Sequence, residues 1–313
     1  MADKIPVGAT ITRAYGFAFG NILNNLGAIW VPVAILWAAS FFFYWPYMEH
    51  ALQAGSGDPQ AILHSMRFVG VVFLLTFLLL TAQIAALTKE ALGLRTGNAF
   101  LQFPFGAAMW RLLANYVLFI LAMLVIYVIV AIAAIVGGIV LGVVAGQAAT
   151  PAGKPIVALA IAALAIAVSC GLIYIATRLS FLLAPVAVAE QRITLIRGWE
   201  LTRGNFWRIF LIVLSVLLPL LLLEIVYILA LYGTDFFPRP GTLGSAEGMA
   251  QWQQHNRQLS LHGMEVTQRY WYIVYPLGLL FALIVYALFA GISAFAYRAL
   301  VPESPAAVEE APQ

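Results

Sequence analysis

The chain has 313 residues, of which 63% are hydrophobic and only 9% charged, with a mean hydropathy of +0.96. Soluble domains carry roughly 25% charged residues, so a soluble globular protein is excluded. The small net charge of +3 gives no support to nucleic-acid binding.

A bilayer core about 30 Å thick needs roughly 20 mostly apolar helical residues, because every backbone polar group must be satisfied within the segment. Six stretches qualify, at about 26–46, 68–88, 112–146, 155–178, 206–233 and 271–298. The expected fold is therefore all-α: one six-helix transmembrane domain over 1–300, followed by a disordered, acidic, Pro-rich tail at 301–313. About 25 residues precede the first apolar run without a basic-apolar-small cleavage pattern, so no cleaved signal peptide is expected. The third stretch is over-long, about 52 Å for 35 helical residues, and reads as one helix that tilts or projects from the bilayer. Only Gly137-Gly138 could break it, and its neighbours are apolar. Pro219 in span five removes the hydrogen bond to the Ser215 carbonyl and predicts a kink.

Lys and Arg set the orientation. Eleven lie on the side of the two termini and five on the other, which predicts both termini cytoplasmic. Aromatic residues agree, with Phe41 to Tyr47 and Tyr270 to Tyr275 at the outer interface and Trp110, Phe206 and Trp207 at the inner one. Cys170 is the single cysteine, so no disulfide forms within the chain.

Each odd-numbered span is preceded by a similar segment: ITRAYGFAFGNILNN, FLQFPFGAAMWRLLANY and ITLIRGWELTRGNFWRIF. The chain thus reads as three hairpins, each opened by a cytoplasmic interfacial helix. The plainer explanation is that interfacial helices favour aromatics and Arg in any case. In LTRGN, Gly204 suits the left-handed end of one helix and Asn205 the cap of the next.

The stretch RLSFLLAPVAVAEQRITLIRGWELTRGNFWRIF resembles a signature of bacterial six-span membrane proteins related to the membrane domain of glycerophosphoryl diester phosphodiesterases. Arg178, Phe181, Pro185, Glu190, Trp199, Leu201, Thr202, Gly204, Asn205 and Trp207 carry the resemblance, and Gly198 departs from the Ser common there. It implies a bacterial inner-membrane location and a link to phospholipid or envelope biology. It does not imply phosphodiesterase activity, which resides in a separate soluble barrel of about 250 residues.

Small residues at four-residue spacing predict close helix packing. Span three offers Ala134, Gly138, Gly142 and Gly146, span four Ala163, Ala167 and Gly171, and span six Ala287 with Gly291 and Ala290 with Ala294. They fit either packing within the bundle or a dimer face. Few residues carry chemistry. Glu224 is the acidic residue well inside a span, either an interfacial polar group or a proton or substrate site. Gln83 in span two reads as an interhelical hydrogen bond. Arg192, Arg197, Arg203 and Arg208, with Trp199 and Trp207, form a basic-aromatic cluster that either binds anionic headgroups or only anchors topology, and Glu190 is expected to pair with Arg178 or Arg192. His50, His64, His255 and His262 fall in outer loops without tight ligand spacing, so no metal or cofactor is expected. The GMAQWQQHNRQLSLHGM portion of the last outer loop is expected to form a surface helix.

With no P-loop, nucleophile elbow, HExxH or paired spanning aspartates, catalysis is disfavoured. The expected function is non-enzymatic, with membrane lipids or other membrane proteins as partners. A transporter or channel lined by span five and Glu224 is the alternative, and an intramembrane lipid enzyme the third reading.

Overall fold

The computed structural model describes residues 4–39, 59–94, 105–147, 153–237 and 245–301, which hold helices and no strand. The principal helices are α1 (Val7–Gly20), α2 (Ile22–Ala39), α3 (Pro59–Ala91), α4 (Ala107–Gln147), α5 (Gly153–Ser180), α6 (Ile196–Leu201), α7 (Phe206–Tyr232), α8 (Ala246–Arg269) and α9 (Trp271–Leu300). An α turn, Leu183–Pro185, and a π turn, Val186–Glu190, link α5 to α6. Six helices (α2, α3, α4, α5, α7 and α9) are long and apolar enough to cross a membrane, so the chain is an all-α, multi-pass membrane protein.

The expected spans shift at their ends. The first begins at Ile22 rather than near 26, and its far end, with Phe41 to Tyr47, lies outside the described residues, as do the 95–104 segment of the second repeat and the tail from 302. Helix α4 runs 41 residues through Gly137-Gly138 without a break. The Gln-rich stretch is a helix, α8, whose N-cap Ser245 accepts a hydrogen bond from the Gly248 N–H at 3.0 Å.

The three expected hairpins are present as packed pairs: α2 with α3, α4 with α5, and α7 with α9. Helix α3 joins the first two hairpins to α9, and α5 meets α7. Into the junction of α3, α4 and α9 fits the 183–190 segment, whose Leu183, Val186 and Ala187 are fully buried. This junction lies at the end of the bundle that carries Arg178, Arg192, Arg197, Arg203 and Arg208, called here the basic end. Farther out, α4 from Val117 and α7 from Leu217 expose most of their apolar side chains, which in a membrane face lipid.

Helix α1 is more deeply engaged than a helix lying on the bilayer surface. Thr10, Ala14, Phe17 and Ala18 are buried, and α1 packs along α9. A Cβ added at Gly291 would come within 3.2 Å of Ala14, so this glycine allows the two backbones to approach. Phe17 and Phe295 meet edge to face with ring centroids 6.3 Å apart. The small-residue rule therefore operates in α9, where Ala287, Ala290, Gly291 and Ala294 are all buried. It does not hold for the other stripes. Gly138 is exposed with no neighbouring atom within 4 Å of an added Cβ, and Ala163, Ala167 and Gly171 are exposed, because these stretches lie along the bundle edge. The surroundings of Gly142 and Gly146 lie outside the described side chains.

Pro219 lies inside α7 and cannot donate to the Ser215 carbonyl four residues before it. The Tyr15 hydroxyl of α1 donates to that carbonyl at 3.2 Å. A helix defect in the membrane is thereby satisfied by a side chain from the first helix, and α1 is positioned against α7 as well as α9.

Tyr15→Phe should lower the stability of the detergent-solubilised protein by about 1 kcal/mol, and a Pro219→Ala background, which supplies the missing N–H, should shrink that loss. Equal losses in both backgrounds would show that the hydroxyl serves another purpose. Gly291→Leu should lower the thermal midpoint sharply by overpacking against Ala14, whereas Gly138→Leu should be mild.

Candidate functional site

The basic end starts from two breaks in the helical run. Gly204, at φ +78°, takes the left-handed conformation after α6. Asn205 then precedes α7, but its side chain does not cap the helix as its type suggests. Its Oδ1 instead accepts the Ile5 N–H at 3.2 Å, while Arg208 Nη1 donates to the Ile5 carbonyl at 2.8 Å. Both backbone groups of a fully buried residue are thus satisfied from the start of α7, and the N-terminal segment entering α1 is clamped. Asn21 follows Gly20 in the first repeated segment as Asn205 follows Gly204 in the third, and the two asparagines share a conformation: φ −117°, ψ 30° and φ −113°, ψ 8°.

Arg178 ends α5 and is 6% exposed. Its Nη2 donates to the Trp199 carbonyl at 2.6 Å, its Nη1 to the Tyr174 hydroxyl at 2.9 Å and its Nε to the Thr202 hydroxyl at 3.3 Å. The guanidinium also stands 3.7 Å from the Trp199 ring centroid. No carboxylate faces it among the described residues. Oxygens and an aromatic quadrupole hold this cation, and it fastens α6 onto α5. Gly198 lies at this junction, where a Cβ would stand 3.4 Å from the Leu179 carbonyl, the near limit of ordinary van der Waals contact.

Glu190, expected to pair with Arg178 or Arg192, pairs instead with Arg197. The Arg197 Nε lies 3.0 Å from Oε1, and the Tyr297 hydroxyl of α9 donates to the same oxygen at 3.1 Å. The reason lies in the π turn. It ends at Gln191, a non-glycine residue at φ +56°, so the chain reverses there and brings α6 back over Glu190. Arg197 also approaches Glu200 at 3.9 Å. Arg298, one residue beyond Tyr297, donates to the Leu92 carbonyl at the end of α3.

The six residues of the basic-aromatic cluster therefore divide. Arg197 and Arg208 are engaged with Glu190 and Ile5, and Trp199 covers Arg178. Arg192 and Arg203 are exposed, and neither guanidinium has a hydrogen-bond or ion-pair partner among the described residues. Trp207 is 71% exposed, and Ile193 and Ile196, earlier in the same stretch, are exposed as well. Tyr174, Phe206 and Phe210 carry an aromatic ladder from α5 to α7, with Tyr174 and Phe206 centroids 4.6 Å apart and Trp207 packed against both phenylalanines.

The two intramembrane candidates go separate ways. Glu224 is exposed within the stretch 221–227, all of which is exposed, so it faces outward from the bundle instead of lining a path within it. Gln83 is fully buried, yet neither of its amide atoms has a hydrogen-bond partner among the described residues, so the expected interhelical bond is not seen there. Asn25, Thr88 and Asn115 also bury an unpartnered oxygen. The Nδ2 groups of Asn25 and Asn115 donate to the Phe17 and Arg192 carbonyls at 3.1 and 3.2 Å. Sequence reasoning missed both asparagines and Tyr297. For Asn115 the available signal was a lone amide in a mostly apolar run, whereas Asn25 sits beside Asn24 and Tyr297 carries no such sign.

Arg178→Lys keeps the charge but loses the fork and its stacking, and should cost on the order of 2 kcal/mol in thermal unfolding. Arg203→Lys should stay within about 0.5 kcal/mol. Similar effects from both would contradict the division drawn above. Compared with known proteins, the chain matches no family model, no curated protein and no solved structure.

Proposed function

We propose that the protein is a non-enzymatic lipid-binding component of the bacterial inner membrane, which holds anionic phospholipid headgroups at its basic end through Arg192, Arg203 and Trp207. The observation that carries this reading is the contrast among the arginines. Arg178, Arg197, Arg208 and Arg298 are committed to protein groups, whereas Arg192 and Arg203 are exposed and without a partner among the described residues, in a stretch that also exposes Ile193, Ile196 and Trp207. A guanidinium fork suits a phosphate, an exposed Trp suits the headgroup layer, and each cation near such a surface contributes about 1 kcal/mol. The reading also takes the basic end and both termini as cytoplasmic, from the excess of Lys and Arg there. The bacterial inner membrane rests on the resemblance within 178–210. A transport path through Glu224 has less support, because that carboxylate faces outward from a lipid-facing stretch.

The test is native mass spectrometry of the purified protein with its retained lipids. Arg192→Gln combined with Arg203→Gln should lower the retained anionic lipid and weaken the salt dependence of its binding, while Arg269→Gln at the opposite end should not. Orientation is checked in the same variant by reporter fusion. Unchanged retention in a correctly oriented double variant would reject the lipid-binding role.

A further inference from the structure

Asn115 of α4 meets Arg192, 77 residues further along the chain, at the basic end. Asn115 is 0% exposed, and its Nδ2 donates to the Arg192 carbonyl at 3.2 Å. Its Oδ1 is buried and has no hydrogen-bond partner among the described residues. The stretch it holds, 191–195, is not helical and is fastened on both sides of Arg192. Before it, Gln191 at φ +56° reverses the chain after Glu190, which Arg197 and Tyr297 hold. After it, Leu195 packs against Met109 and Leu112 of α4 together with Ala184 and Ala187. Between these points the Arg192 carbonyl is bonded to α4, while Arg192 and Ile193 are exposed.

Stability alone does not account for this bond. Arg192 is an exposed residue, whose carbonyl water can serve, so a protein hydrogen bond to it returns little. A buried amide oxygen without a partner forfeits its hydration outright, which costs more. An apolar side chain of similar size at position 115 would avoid that cost. What it would not supply is a fixed course for the main chain at Arg192. Local choices that oppose stability in this way are expected where a site needs them.

We propose that Asn115 is a positioning residue, which holds Arg192 in place for the phosphate of an anionic lipid. The proposal rests on the headgroup reading above and adds to it the group that orients one of its two cations. A guanidinium meets a phosphate through a planar fork, so its direction matters as well as its charge. Arg203 is placed independently of Asn115: its N–H donates to the Glu200 carbonyl at 3.1 Å, just before the left-handed Gly204.

The experiment is a double-mutant cycle on the full chain in detergent. Phosphatidylglycerol is added to the delipidated protein and its binding is read by native mass spectrometry, with net-neutral phosphatidylcholine as the control. Arg192→Gln should weaken phosphatidylglycerol binding about fivefold, the share of one cation near such a surface, and Asn115→Leu should reproduce most of that loss. The two together should bind no more weakly than Arg192→Gln alone, whereas Asn115→Leu with Arg203→Gln should show the product of the single losses. The thermal midpoint of Asn115→Leu should match or exceed the native one, which the loss of a structural hydrogen bond would not give. If Asn115→Leu does not fold, Asn115→Ala takes its place in the binding cycle. Native binding in the Asn115 variant beside weakened binding in Arg192→Gln, or losses from the two that multiply, would overturn the proposal and leave the headgroup reading standing. No loss from Arg192→Gln would reject that reading and this proposal with it.

Discussion

Every backbone N–H and C=O inside a bilayer must find a partner within the protein. An uninterrupted helix meets that demand by itself, so where this chain departs from helix, polar side chains supply the missing partners. Tyr15 serves the Ser215 carbonyl freed by Pro219, Asn205 and Arg208 serve Ile5, Arg178 serves Trp199, Arg298 serves Leu92, Asn25 serves Phe17 and Asn115 serves Arg192. Seven polar side chains are thus committed to the main chain, most of them at the ends and breaks of helices.

That commitment shapes what is left for recognition. The basic end looks from composition like a uniform cationic patch, but its arginines differ in what they can still bind. Arg178 is enclosed by Trp199, Tyr174 and Thr202, and Arg197 is shared with Glu190 and through it with Tyr297 of α9. These contacts knit α5, the π turn, α6 and α9 into one body. The surface available to a partner is narrower, set by Arg192, Arg203 and Trp207.

The spans were legible because their signal is length and apolarity, and α4 kept its unbroken course despite Gly137-Gly138. The α4–α5 pairing was legible too, since only positions 148–152 separate the two helices, whereas the connection between α7 and α9 is long enough to hold α8. The small-residue stripes were not separable in sequence: Gly291 and Gly138 sit in similar patterns, and only the approach of α1 decides that one is packed and the other faces lipid. The same long-range approach hid the roles of Asn205 and Arg208, whose partner Ile5 lies some 200 residues away in the chain. Glu190 was misassigned because the left-handed Gln191 redirects the chain, and a glutamine carries no sequence sign of that conformation.

The apolar window of α4, Ala107–Gly138, has 32 residues, about 48 Å of helix against a hydrocarbon layer of about 30 Å. Either the helix leans or the surrounding lipid stretches, and each ångström of mismatch carries an elastic cost of a fraction of a kcal/mol. Summed over an excess of roughly 18 Å, that cost reaches several kcal/mol, comparable with the net stability of a whole domain. Bilayer thickness thereby enters the energetics of the α4–α5 hairpin as directly as any side-chain contact. Membranes of long-chain or stiffened lipids would favour it, and thin ones would strain the edge of the bundle where α3 alone ties α4 to the first hairpin.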